Sequence, residues 1–115
     1  MKIAVATNNK KEISEHFGSA EGFLIFEVEK DSIKELEFRN NQGKNQGQCG
    51  SCNHALMLEN VKDCESVLSF GMGKKIFEDL SNAGIKPIIS EERNIKKALT
   101  KLKAKNLKNC IEKLH

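Results

Sequence analysis

Tryptophan and tyrosine are absent from this 115-residue chain, and six phenylalanines are its only large aromatic side chains. Stacking on nucleobases therefore lacks its usual equipment, which argues against nucleic acid as a partner. Long hydrophobic runs are missing too. The first apolar stretch, IAVA at 3–6, is too short for a signal peptide or a spanning helix, and Lys10 and Lys11 soon follow. The expectation is a cytoplasmic protein with no membrane partner. The segment KIAVAT contains no acid, so it gives no anchor for the gathered carboxylates of a magnesium-dependent nuclease. No linker, repeat or second domain interrupts residues 1–115, a length that makes one domain with a sizeable core.

What is present points to an α/β domain. MKIAVAT is apolar and β-branched, as in a strand buried on both faces. NNKKEISEHFGSAEG reads as a polar loop. FLIFEVE and IKELEFR read as two strands of a hairpin turned by Asp31 and Ser32. After a polar segment at 40–54, HALMLENV has helical spacing with Asn53 as its cap, and either Ala55, Leu58 and Val61 or Leu56 and Met57 facing inward. SVLSF is a short strand running into a helix with Ile76, Phe77 and Leu80 inward and Gly84 as terminator. IKPIIS is another strand, and Pro87 favours the edge of a sheet. Asn94 caps a last helix carrying Ile95, Ala98, Leu99 and Leu102, and KAKN breaks its phase, predicting a kink or a second short helix. This order describes an α/β fold with a mixed sheet. Net charge is +3, and from Asn94 onward there are seven lysines against one acid, Glu112. A solvated helix face accounts for that run more simply than a nucleic-acid site.

Three segments carry candidate chemistry. SFGMGKK follows a strand and opens a helix, so the amides of Gly71, Met72 and Gly73 would favour an anion. A dinucleotide fingerprint would need a third glycine where Ile76 stands, and no Walker pattern fits. A tight turn that needs glycine for steric reasons explains the motif equally well. In SEHFG, His16 falls at the carboxyl edge of the sheet and could ligate a soft metal or cluster, or simply be a surface histidine. The polar segment 40–54 holds Cys49, Cys52 and His54, three ligands where zinc or an iron–sulfur cluster normally takes four. A long segment between strand and cysteines argues for a metal or cluster clamp over a rigid redox dithiol. Cys64 and Cys110 read as structural thiols.

In combination, MKIAVAT, SEHFGSAEGFLIFEVE and SFGMGKKIFEDLSNAGIKPI resemble the dinitrogenase iron–molybdenum cofactor biosynthesis family over nearly the whole chain. The resemblance implies a three-layer α/β/α ribonuclease H-like fold with a five-stranded mixed sheet. It further implies a non-enzymatic carrier or store of an iron–sulfur or iron–molybdenum-type cluster, working with cluster donor or acceptor proteins. The family's histidine–phenylalanine–glycine motif falls on His16, Phe17 and Gly18, with His16 the implied ligand, and its glycine turn on Gly71, Met72 and Gly73. Many small members carry a cysteine-bearing loop after the third strand, matching Cys49 and Cys52. The competing expectation is a zinc- or thiol-redox-dependent regulatory module acting through a protein partner.

Overall fold

The computed structural model describes residues 1–17, 20–29, 32–41 and 54–103, the side chains of 54–56 excepted. Five strands form one sheet in the order β3-β2-β1-β4-β5, with β1 at Lys2–Thr7, β2 at Gly22–Val28, β3 at Ile33–Asn40, β4 at Ser66–Ser69 and β5 at Lys86–Ile89. β1 pairs antiparallel with β2 and β2 with β3, while β1–β4 and β4–β5 are parallel, so the sheet is mixed. Central β1 has five successive buried residues, because both of its faces are covered. Pro87 lies on β5, an edge strand, where a missing N–H disrupts no inner ladder.

Side chains alternate between the two faces and define two core layers. Ala4 and Ala6 of β1 pack with Met57 and Val61 of α1 (His54–Val61) and with Ile76 and Leu80 of α2 (Lys74–Asn82). Ile3 and Val5 face the other way, onto Ile95, Ala98 and Leu99 of α3 (Ile95–Lys103). Two helices on one face and one on the other give three layers. Each fully buried Ile or Leu in these layers contributes about 1.5–3 kcal/mol of transfer free energy. Among the described side chains of α1, Met57 and Val61 are buried at an i, i+4 spacing that keeps both on one face, and Leu58 packs partly against the same layer, so members of both expected stripes face inward. Ala83 caps α2 and Gly84 follows at φ 82, the left-handed position that terminates helices. Asn94 caps α3, its Oδ1 accepting from the Lys97 N–H at 3.0 Å. The phase break at KAKN lies outside the described residues, as do Asp31 and Asn53.

One boundary differs from the sequence reading, while α1 opens at His54 as HALMLENV implies. Asn40 ends β3 as the partner of Gly22, so the strand runs one residue into the segment expected at 40–54. Asn41 is buried, its N–H donating to the Glu21 carbonyl at 3.0 Å and its Nδ2 to the Ala20 carbonyl at 3.1 Å. These bonds prolong the strand pairing past the point where polar composition alone ends it. Among the described residues no helix is long and apolar enough to cross a membrane.

Candidate functional site

Because β1, β4 and β5 are parallel, their carboxyl ends share one edge of the sheet, and β2 starts and β3 ends there. From that edge leave the loop bearing His16, the Gly71–Gly73 turn, and the segment that leads through Cys49 and Cys52 to α1. The topology thus directs the His16 loop and the glycine turn to one rim. It is also the position at which open α/β sheets bind ligands.

The rim is held by short hydroxyl-to-carbonyl bonds. Ser14 Oγ donates to the His16 carbonyl at 3.0 Å and accepts the His16 N–H at 3.4 Å. Ser69 Oγ, fully buried, donates to the Gly71 carbonyl at 2.8 Å. Ser90 Oγ repeats the pattern on Glu92, donating to its carbonyl at 2.7 Å and accepting its N–H at 3.0 Å. The three loops are also stitched together through the backbone. The Phe17 N–H donates to the Gly71 carbonyl at 3.0 Å, Phe70 N–H to the Ser14 carbonyl at 2.9 Å, and Ser90 N–H to the Ser69 carbonyl at 2.8 Å. Sequence reasoning missed these serines. Their signal is a hydroxyl two residues before the position it fixes, at or just beyond a strand end for Ser69 and Ser90 and after the isolated bridge at Ile13 for Ser14.

His16 is exposed on this framework, while Phe17 beside it is fully buried with its ring 5.0 Å from that of Phe23. Met72 is buried, so it serves the core. Gly71 offers its carbonyl to two donors, Phe17 N–H and Ser69 Oγ, which assigns that group a structural duty. Gly73 is different. It precedes α2 in an extended conformation, φ −74 and ψ 154, that any residue adopts, and a Cβ added there would meet no atom within 4 Å. Neither backbone conformation nor packing requires glycine at this helix N-terminus. Lys74 and Lys75 follow it, exposed, and the first turn of α2 contains no acid. Oriented N–H groups and two cations make the place favourable to an anion.

Gly18, Cys49 and Cys52 lie outside the described residues, and of His54 only the backbone, at the start of α1, is described. Among the described residues no three His, Cys, Asp or Glu side chains come together as a metal-binding group. The His16 loop and the glycine turn are thus brought together by the backbone bonds between them.

Cys64 sits at the opposite end of the sheet and is 4% exposed, in the core layer of α1 and α2. Burial, with the Asp63 carboxylate adjoining, pushes its thiol up to about 12. A thiol held neutral in the fold contributes stability that is complete below its unfolded value near 9 and lost as pH rises toward 12. Stability should therefore fall across that window by up to about 1.4 kcal/mol per pH unit. Cys64→Ala should flatten the slope, and urea melts of both proteins below and inside the window check it.

Comparison with known proteins agrees with this architecture. The dinitrogenase iron–molybdenum cofactor family matches residues 1–105, and the chain belongs to that family. The FeMo cofactor biosynthesis protein NifB of Azotobacter vinelandii is 34% identical over 89 residues, which cover 74% of this chain and 18% of that protein. The chain thus spans less than a fifth of that relative. In structure it is similar to PH0822, with a TM-score of 0.77 and 19% identity over 97% of this chain and 98% of the other. It also resembles the apo form of the orange protein from Desulfovibrio gigas, with a TM-score of 0.73 and 18% identity over 96% and 92%. These likenesses establish a shared fold.

Proposed function

We propose that this domain binds and carries a metal–sulfur cluster, of iron–sulfur or iron–molybdenum type, as cargo in the assembly of nitrogenase cofactor, and that it is not an enzyme. The observation that carries the proposal is Gly73, a glycine with no steric or conformational need for being one, at a helix N-terminus flanked by Lys74 and Lys75 and hydrogen-bonded through its neighbours to the His16 loop. A ligand that packs against the backbone there accounts for it. The donor set suits a soft, anionic, sulfide-rich body: one exposed imidazole, oriented amides and nearby ammonium groups. In this reading His16 ligates the cluster, and Cys49 and Cys52, with His54 beside them, complete its hold from the segment that leaves the same rim. Membership of a cofactor family supports the assembly role. The carrier would act in the cytoplasm, exchanging cargo with donor and acceptor proteins. The strand order, with β2 alone antiparallel to the rest, supports a ribonuclease H-like ancestry for the scaffold.

The test is anaerobic loading with iron, sulfide and molybdate, followed by desalting, an absorption spectrum and elemental analysis. The wild-type chain should stay coloured and retain metal. His16→Ala and the Cys49→Ser/Cys52→Ser double variant should each lose most of it. Gly73→Ala should lose cargo too, while its stability changes by less than about 1 kcal/mol, the scale of an N-cap exchange. Full metal retention in all three would sink the carrier reading. A colourless wild-type protein with one zinc per chain would replace it with the zinc-dependent module.

A further inference from the structure

Two of the four lysines of α3 stand where helix electrostatics disfavours them, while Lys101 and Lys103 lie in the last turn, which favours cations. With Asn94 as N-cap, Lys96 and Lys97 occupy the first turn, at the positive end of the helix dipole, and that turn contains no acid. Lys97 and Lys101 are four residues apart, a like-charge pair that also works against the helix. The buried face of α3 is committed to the core through Ile95, Ala98 and Leu99, which leaves Lys96 and Lys97 exposed on its outer face. Lys96, Lys97, Thr100 and Lys101 line a shallow groove of about 320 Å³. Among the described residues Lys101 meets Glu92 at 3.5 Å, and Lys96 and Lys97 have no ion pair.

This face adjoins the rim. The Ile95 N–H donates to the Lys11 carbonyl at 3.1 Å and the Ile13 N–H to the Arg93 carbonyl at 2.7 Å. Arg93 Nη1 meets Glu15 Oε1 at 3.0 Å, one residue before His16. A body resting on α3 would therefore lie against the loop that presents His16.

We propose that the lysine face of α3 docks an acidic segment of a partner protein. Charge complementarity selects the partner's sign. Its class follows from what the groove lacks: among the described residues that line it none is aromatic, so bases have nothing to stack on, and none is a large apolar group that would anchor in a bilayer. Identifying that partner as the donor or acceptor of a cluster rests on the carrier reading; the docking surface itself does not.

The experiment uses the full chain without metal and a fluorescent synthetic peptide of alternating Glu and Ser, read by anisotropy and by amide chemical shifts. Peptide binding should shift Lys96, Lys97, Thr100 and Lys101 and extend to Glu15 and His16. Lys96→Glu/Lys97→Glu should weaken it by roughly tenfold, the scale of losing two steering charges, whereas Lys34→Glu/Lys86→Glu, an equal change in net charge elsewhere, should weaken it far less. Acids in the first turn favour the helix, so the α3 variant should fold. Equal weakening by both variants, or shifts scattered over the surface, would overturn the proposal. Tighter binding of oligothymidylate or of phosphatidylglycerol vesicles through the same lysines would overturn it in favour of nucleic acid or membrane. Metal retention by the α3 variant, measured separately, should match wild type, so failure of docking and failure of the carrier reading are distinguishable.

Discussion

Gly22→Ala should destabilise the domain by on the order of 3 kcal/mol, the scale of a forced steric conflict in a packed interior. Gly22 is the point where three strands meet, paired with Thr7 of β1 and with Asn40 of β3. A Cβ built there collides with the Arg39 carbonyl oxygen and with the Phe38 ring, closer than real Cβ atoms come. The ring lies across the glycine, as aromatic residues do over strand glycines, and Lys10 Nζ stands over it, 4.7 Å from its centroid. Phe38 cannot swing away without giving up its packing against the α3 layer. The Arg39 oxygen is backbone, so relief requires β2 and β3 to part at the rim. Urea melts should show the loss, and amide exchange should accelerate first at the Gly22–Asn40 end of the hairpin. A variant that melts with the wild type would mean that the two strands are not held as closely as this register requires.

Gly22 also marks where the sequence stops being legible. Its neighbours in the chain, Glu21 and Phe23, say nothing of Phe38, which reaches it only after the hairpin closes. The same holds for Ile13. The stretch NNKKEIS reads as a polar loop, yet Ile13 is fully buried and bridges to Thr7. The loop tolerates this because its backbone donors are met locally: Thr7 Oγ1 accepts from Asn9 and Lys10, and Asn9 Oδ1 from Lys11 and Glu12. Patterns carried by a single element were readable. The strand of MKIAVAT, the inward stripes of α2 and α3, the terminating Gly84 and the edge position of Pro87 all depend on period and backbone conformation alone. Pairing between elements was not readable, and the serine bonds that tie the rim belong to that kind. For the proposed site, the motifs at His16–Phe17 and Gly71–Gly73 were picked out by sequence, but what separates Gly73 from Gly71 needed the structure. One glycine's carbonyl is shared between two donors and the other's Cβ position is open space.

Phe17→Ala should cost about 3–5 kcal/mol, the range for truncating a buried aromatic. That is a large share of the roughly 5–15 kcal/mol that holds an ordinary domain together. Phe17 is fully buried and packs on Phe23 at a 35° tilt, in the same core layer as Met72 and Ile76. It is the hydrophobic peg between an exposed histidine and the glycine turn. Its N–H keeps a partner in the variant, since the Gly71 carbonyl is still there, but a backbone hydrogen bond nets only about 1 kcal/mol and cannot hold the loop against its regained entropy. Two consequences should therefore separate. Stability should fall in both urea and thermal melts, and Phe17→Leu should restore most of it by refilling the cavity. If the proposed carrier reading holds, the variant should also lose metal at temperatures where it remains folded, because the His16 loop is no longer fixed against the glycine turn; Phe17→Leu should recover that as well. A folded Phe17→Ala chain that retains its full metal content would show that the peg serves the core alone and that His16 needs no such anchoring.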